Sequence, residues 1–200
     1  MRWGKSVLAG VVAVLCSDAV AHACDEFRRV DNAQIKVLLE RVKDPAVPEL
    51  DRGFAFDALI CDDRPHVRQE AMRQALAAVG SPMLRAQVLA QILYQAKSLR
   101  MELQDAPGLD EKTRQFIRDN RGVIAFNLQK ADPSIGCIRL DTSSGGCSSY
   151  WRLLIQGTKI DIRFAPQTDG SLELREDGVL IGYFRPREGG GLIPARIALF

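Results

Sequence analysis

The spacing of apolar residues changes from a helical period to a strand period near Asn120 of this 200-residue chain. Before that point, apolar residues recur at the i, i+3, i+4 spacing of one face of an amphipathic helix. After it, apolar and polar residues alternate, which is typical of half-buried antiparallel strands. The sequence therefore predicts an α+β fold, with an α-helical domain at residues 24–120 and an antiparallel β domain at residues 121–200.

The first half carries apolar rows for four helices and a short fifth one. The predicted buried faces are Ile35, Leu38, Leu39 and Val42; Leu50, Phe54, Ala58 and Cys61; Val67, Ala71, Ala75 and Val79; and Leu84, Val88, Ile92, Ala96 and Leu99. Asp31 is the predicted N-cap of the first helix, and Ser81 that of the fourth, which is expected to extend as far as Leu103. Asp110 is expected to cap the fifth helix, at residues 111–118. These helices are predicted to pack as antiparallel hairpins.

The third and fourth helices carry a recognisable pattern. Its residues are Asp63, Pro65, Val67-Arg68, Ala71 and Ala75-Leu76, followed by Gly80-Ser81-Pro82 and an apolar second helix. Over about residues 63–94 this pattern resembles one unit of a HEAT-like helical repeat. The preceding helical pair is a candidate second unit, because a single pair cannot bury its own apolar face. The resemblance implies a scaffold that offers a surface to a protein partner.

The second half reads as a series of short strands. Alternating residues define strands around Ile162, Leu174 and Ile197, and the region 151–200 is predicted to be a meander. Turns are predicted at Gln156-Gly157, Asp169-Gly170 and Asp177-Gly178. Two further strands are predicted at residues 123–126 and 135–140. The set is expected to form a small sandwich or a partly open barrel, with the domain boundary between residues 120 and 134.

The first 23 residues have the composition of a secretory signal peptide. Arg2 and Lys5 precede an apolar run at residues 7–16, and Ala21-His22-Ala23 supplies an A-x-A cleavage site. The apolar run is about half of the roughly twenty residues that a membrane-spanning helix needs. We therefore expect cleavage after Ala23, a periplasmic or secreted protein, and no integral membrane span.

Four cysteines remain beyond this leader: Cys24, Cys61, Cys137 and Cys147. In an exported chain an even number of cysteines indicates disulfides, and four allow three pairings. Pairing within each half of the chain favours Cys24 with Cys61 and Cys137 with Cys147. The alternative, lipid acylation of Cys24, is disfavoured by Ala21 at the third position before it and by the unpaired Cys61 that it would leave.

Signatures of catalysis and of cofactor binding are missing from the sequence. It contains no nucleophile elbow, phosphate loop, H-E-x-x-H motif or dinucleotide fingerprint. No cysteines have C-x-x-C spacing, and His66 is the only histidine after the leader, so we expect no metal site and no cofactor. The formal net charge of +2 gives no reason to expect a nucleic-acid partner.

The most unusual segment is a hydroxyl-rich loop at residues 141–150. Its candidate binding residues, with the residue that follows, are Asp141, Ser143, Ser144, Ser148, Tyr150 and Trp151. A loop held by a disulfide at Cys147 can enter a partner's cleft, although serine and glycine are also the ordinary residues of a connector. A second candidate loop combines Arg185 and Arg187 with three glycines at residues 189–191.

Taken together, these features favour an exported, non-enzymatic binding protein of the bacterial envelope, whose partner is an envelope or secreted protein. One alternative is a cell-envelope hydrolase whose active-site residues are too scattered to form a motif. The other is an inhibitor or immunity-type protein that acts through the loop at residues 141–150.

Overall fold

The computed structural model describes residue 24 and residues 28–78, 80–141, 147, 150–164, 168–186 and 191–199. The helices are α1 (Asn32–Lys43), α2 (Glu49–Ile60), α3 (Pro65–Ala77), α4 (Pro82–Gln95) and α5 (Glu111–Asp119). The strands are β1 (Ser98–Leu103), β2 (Val123–Asn127), β3 (Ala131–Asp132), β4 (Cys137–Arg139), β5 (Trp151–Gln156), β6 (Lys159–Phe164), β7 (Asp169–Leu174), β8 (Val179–Arg185) and β9 (Ile193–Ala198). The predicted α+β class is confirmed.

All nine strands belong to one antiparallel sheet in the order β2-β1-β9-β8-β7-β6-β5-β4-β3. The sheet curls into a half-barrel. Phe126 on β2 contacts Phe164 on β6 with ring centroids 5.3 Å apart, although four strands separate them in the sheet. Phe184 on β8 lies against Phe164 on one side and against Phe116 of α5 on the other. These rings fill the concave side, where strands and helices contribute to one core cluster.

The prediction that the fourth helix continues to Leu103 is wrong. α4 ends at Gln95, and residues 98–103 form β1, which pairs with β2 and with β9. Leu99 and Leu103 are four residues apart, a spacing that fits a helix as well as a strand. In the structure Leu99, Met101 and Leu103 are buried and alternate with exposed polar residues, which is the two-residue period of a strand. The sheet therefore begins before residue 121, while the division into two domains stays a prediction.

The predicted buried face of the second helix is also wrong. Leu50 and Phe54 on α2 are 59% and 62% exposed, and Ala58 is exposed as well. The helix carries two apolar rows, and the row containing Phe56 and Leu59 is the buried one. α1, α3 and α4 all pack against α2. The choice between the two rows follows from these neighbours and not from the local sequence.

Two of the three predicted helix caps are confirmed. Asp31 accepts a hydrogen bond from the backbone N–H of Ala33 and Asp110 accepts one from that of Thr113, both at 2.8 Å. Ser81 stands at the N-cap position of α4, but its side chain does not cap the helix. The carboxylate of Glu49 on α2 accepts hydrogen bonds from the Met83 backbone N–H at 2.9 Å and from the Ser81 hydroxyl at 2.7 Å. A side chain distant in sequence thus caps α4.

The predicted turns differ in outcome. Gly157 and Gly178 have φ values of 62° and 79° between paired strands, so the turns at 156–157 and 177–178 are confirmed. Asp169-Gly170 is not a turn, because both residues pair with β6 and β8 as the start of β7. The strand predicted at 135–140 is shorter, since a 3-10 helix occupies Pro133–Ile135 and β4 covers only Cys137–Arg139.

Both predicted disulfides are confirmed. Cys24 is bonded to Cys61 at the end of α2, with Cα atoms 5.4 Å apart, and Cys137 on β4 is bonded to Cys147, with Cα atoms 6.3 Å apart. The predicted signal peptide at residues 1–23 lies outside the described residues. No helix in the described part of the chain has the length and apolar character to cross a membrane.

Candidate functional site

Three strand connections leave the half-barrel at one edge, which we call the loop rim. The rim consists of the ends of β4, β5, β6, β7, β8 and β9 that are joined by residues 140–150, 165–168 and 186–192. The register aligns these ends, because Trp151 pairs with Phe164 and Asp169 pairs with Arg185. Both candidate loops from the sequence therefore depart from the same edge. Ser143, Ser144, Ser148, Arg187, Gly189 and Gly190 lie outside the described residues.

The connection between β4 and β5 is held at both of its ends. Besides the disulfide of Cys147, the Arg139 guanidinium donates to the carbonyl oxygen of Asp141 at 3.1 Å. Arg152 donates in the same way to the carbonyl oxygen of Cys147 at 2.6 Å. The Leu140 backbone N–H donates to the Trp151 carbonyl at 2.9 Å and closes the base. Such tethering reduces the conformational entropy that a loop would lose on binding.

Apolar side chains at the rim are open to solvent. Tyr150 is 54% exposed, Trp151 is 44% exposed and Leu192 is 49% exposed. One face of Trp151 packs on the core. Its ring centroid lies 5.7 Å from that of Phe164, and Phe164 stacks at 5.7 Å on Phe184. Trp151 is therefore anchored on one side and available on the other, the arrangement of an aromatic binding residue.

The connection between β8 and β9 is fastened to α5. The backbone N–H of Gly191 donates to the Thr113 hydroxyl at 2.9 Å, and that hydroxyl donates to the Asp110 carboxylate at 2.9 Å. The pKa of Asp110 is lowered, first by the hydrogen bond from the Thr113 backbone N–H and then by the one from its hydroxyl. The N-terminus of α5 thus anchors the end of this loop beside the rim.

A row of arginines on the convex face next to the rim was not predicted from the sequence. The pairing register aligns one residue from each of five neighbouring strands: Arg139, Arg152, Arg163, Asp169 and Arg185. We call the four arginines of this line the arginine row. Each residue lies within one position of a strand end, and only the pairing register, which the sequence does not reveal, brings them together.

Two cavities border the arginine row. One, of about 390 Å³, is lined by Lys130, Ala131, Asp132, Pro133, Arg139 and Cys147. The other, of about 250 Å³, lies across β5, β6 and β7 and is lined by Arg152, Leu154, Asp161, Ile162, Arg163, Asp169, Gly170 and Ser171. Both are lined by guanidinium and carboxylate groups. Their chemistry suits recognition of a charged partner.

The remaining candidate chemistry lies away from the rim. His66 is exposed in the first turn of α3, as a solvent-facing residue. Among the residues that the structure describes, no group of three or more His, Cys, Asp or Glu side chains could hold a metal ion.

Comparison with known protein families, with curated proteins and with solved structures finds no match to this chain. The HEAT-like resemblance of residues 63–94 therefore stays a prediction.

Proposed function

We propose that this chain is an exported, non-enzymatic binding protein of the bacterial envelope that recognises an envelope or secreted protein partner with the loop rim. The observation that carries the proposal is the convergence at one edge of three strand connections, a disulfide-tethered loop and the exposed side chains of Tyr150, Trp151 and Leu192. Loops on a rigid scaffold commonly carry binding residues, and Trp and Tyr contribute much of the energy at protein interfaces.

An inhibitor or immunity-type function is the second candidate. The observation that favours it is the double constraint on the loop at residues 141–150, by the disulfide of Cys147 and by the hydrogen bonds from Arg139 and Arg152. A loop constrained in this way can enter an enzyme cleft with a small loss of conformational entropy. In that case the partner is a secreted enzyme, and its activity falls when the complex forms.

Affinity capture from an envelope extract with the full exported chain tests the proposal. The captured partner is identified by mass spectrometry, purified, and titrated against the wild type and two variants. Trp151→Ala should weaken binding by about tenfold or more, because the change removes an anchored aromatic side chain. Phe54→Ala on α2 is the matched control, since Phe54 is also an exposed aromatic residue but lies away from the rim. It should leave the affinity unchanged.

Equal affinity of both variants for the partner would argue against the loop rim as the binding surface. Turnover of a peptidoglycan or ester substrate by the purified chain, with no protein partner captured, would instead support the envelope hydrolase. Loss of a captured enzyme's activity on titration with the chain would identify the inhibitor function.

A further inference from the structure

We propose that the arginine row binds an acidic polypeptide segment of the partner, along the convex face beside the loop rim. This inference rests on the proposed function, because it specifies the chemistry of the partner's surface. The row consists of Arg139, Arg152, Arg163 and Arg185, and it is interrupted at β7 by Asp169.

The position of the row on the convex side follows from the alternation of side chains. The adjacent line of paired residues, Ile138, Leu153, Ile162, Gly170, Phe184 and Ile193, is buried. Residues one position further along each strand point to the opposite face. Adjacent strands lie about 4.8 Å apart, so the four steps from Arg139 to Arg185 span about 19 Å.

Among the described residues, the positive charges of the row are only partly balanced by the carboxylates around them. Arg152 is directly opposite both Arg139 and Arg163, and like charges in directly opposite positions destabilise a sheet. The one ion pair seen within the row joins Arg185 to Asp169 at 3.9 Å. Among the described residues of this face, five cations (Lys130, Arg139, Arg152, Arg163 and Arg185) face four carboxylates (Asp132, Asp141, Asp161 and Asp169). An anionic ligand would offset this excess of positive charge.

Two of the guanidinium groups are already oriented. Arg139 and Arg152 each donate from one terminal nitrogen to a loop carbonyl, which fixes the plane of the group. The Nε atoms of both residues are buried and have no hydrogen-bond partner among the described residues. A guanidinium has five N–H donors in a planar fork that matches a carboxylate. Because the Nε–H groups are buried, a ligand carboxylate would be bound by the terminal N–H groups, on side chains whose positioning cost is already reduced.

The shape of the face favours an extended segment over a flat surface. Neighbouring strands are rotated by about 20–25°, so the side chains from Arg139 to Arg185 fan out through roughly 80–100°. A planar bilayer cannot meet all four at once, whereas a chain that crosses the strands can follow the curve. At about 3.3 Å per residue, an extended segment of about six residues spans the row. Side chains on one face of such a segment recur about every 6.6 Å, so we expect carboxylates at Arg139, between Arg152 and Arg163, and at Arg185, with a neutral or basic residue facing Asp169.

A defined peptide tests this proposal directly. The probe is the heptapeptide Glu-Gly-Glu-Gly-Ser-Gly-Glu, acetylated at its N-terminus and amidated at its C-terminus, titrated into the full chain while the arginine Nε–H resonances are followed by NMR. The signals of Arg139, Arg152 and Arg163 should shift, and the affinity should fall as salt is added. The same peptide with Gln in place of Glu should produce no such shifts, because it lacks the carboxylates.

A charge-matched pair of variants separates the row from the net charge. Arg152→Gln with Arg163→Gln should weaken peptide binding by about tenfold or more, since each removes a charge-assisted hydrogen bond. Arg41→Gln with Arg175→Gln loses the same charge at exposed positions outside the row and should bind as the wild type does. Equal loss in both pairs, no binding of the acidic peptide, or tighter binding of phosphatidylglycerol vesicles or polygalacturonate would overturn the proposal.

The same variants distinguish this inference from the proposed function. If Trp151→Ala abolishes capture of the protein partner while the Arg152 and Arg163 substitutions leave it intact, the rim binds the partner without the arginine row, and the acidic-segment proposal is wrong. If both sets of substitutions weaken binding of the partner and only the arginine pair weakens binding of the peptide, both proposals are supported.

Discussion

The carboxylate of Asp62 accepts two hydrogen bonds from the guanidinium of Arg64, each 2.8 Å long. Asp62 is fully buried and also accepts from the backbone N–H of Val30, at 2.8 Å, and of Arg64, at 2.9 Å. Arg64 in turn donates to the Val30 carbonyl at 2.6 Å. This network joins the segment before α1 to the junction of α2 and α3, beside the disulfide between Cys24 and Cys61.

Asp62→Asn should lower the free energy of unfolding by about 2–3 kcal/mol at neutral pH. The substitution removes the charge that compensates Arg64 and turns one acceptor into a donor. Arg64 keeps a side-chain exposure of 16%, which limits the cost because water reaches the guanidinium. Urea unfolding measures the change. Asp63→Asn is the control, since Asp63 is largely exposed and 3.8 Å from Arg64, and it should cost less than about 0.5 kcal/mol.

The contribution of Asp62 should also depend on pH. Its pKa is held well below the ordinary value of 3.8, chiefly by the hydrogen bonds from the Arg64 side chain, although burial acts in the opposite direction. Because the native pKa is lower than the unfolded one, the stabilisation is complete at neutral pH and is lost as the pH falls below about 4. The difference in the free energy of unfolding between wild type and Asp62→Asn should therefore shrink as the pH is lowered from about 5 to about 3. A constant difference would contradict the assignment.

Gly182→Ala should destabilise the half-barrel more than Gly170→Ala. A Cβ atom at Gly182 would overlap the carbonyl oxygen of Ser171 and lie 2.7 Å from the Cα of Leu172, so the backbones of β7 and β8 would have to separate. At Gly170 the nearest atom would be 3.3 Å away. We expect losses of about 3 kcal/mol and under about 1 kcal/mol in urea unfolding. Equal losses of stability in the two variants would show that the close approach of β7 and β8 at Gly182 does not cause the destabilisation.

Arg52→Met should raise the stability of the protein. Arg52 on α2 is 5% exposed, and its Nε and Nη1 atoms have no hydrogen-bond partner among the described residues. Buried N–H groups without a hydrogen-bond acceptor cost free energy, and methionine fills a similar volume without them. We expect a gain of at least about 1 kcal/mol, measured by thermal and urea unfolding. Arg41→Met at an exposed position of α1 is the control. An equal gain in stability from that substitution would show that burial of Arg52 is not the cause.

The two disulfides should differ in their contribution to stability. The bond between Cys24 and Cys61 spans 37 residues, and the bond between Cys137 and Cys147 spans 10. Loop entropy predicts about 4 kcal/mol for the longer loop and about 3 kcal/mol for the shorter one. Replacing each pair by serine and measuring urea unfolding tests this order. A larger loss from the Cys137 and Cys147 pair would show that native contacts of the rim loop, rather than loop length, dominate.

Most of the features that were predicted correctly depend on residues close together in the chain. Asp31 and Asp110 cap helices because their carboxylates reach backbone N–H groups two or three positions away. Gly157 and Gly178 adopt positive φ because the tight turns that they form need this backbone conformation, whatever distant segments do. Pairing the cysteines within each half of the chain gave the correct disulfides, since both bonds close short or moderate loops.

The features that were predicted wrongly depend on distant segments. Leu50 and Phe54 form an apolar row as regular as the buried one on α2, and packing of three other helices decides which row is covered. Leu99 and Leu103 fit both periods, and pairing with β2 and β9 makes them part of a strand. In each case the local pattern permits two structures, and the larger number of tertiary contacts selects one.

The order of amino acids is enough to predict the α+β class, the two disulfides, most helix caps and the loop at residues 141–150 as a candidate site. Only folding brings this loop and the one at 186–192 to the same rim and aligns Arg139, Arg152 and Arg163 on adjacent strands. These positions are more than ten residues apart in the chain. Their alignment comes from strand register, which is set by burial of the concave face and by contacts that no local pattern contains.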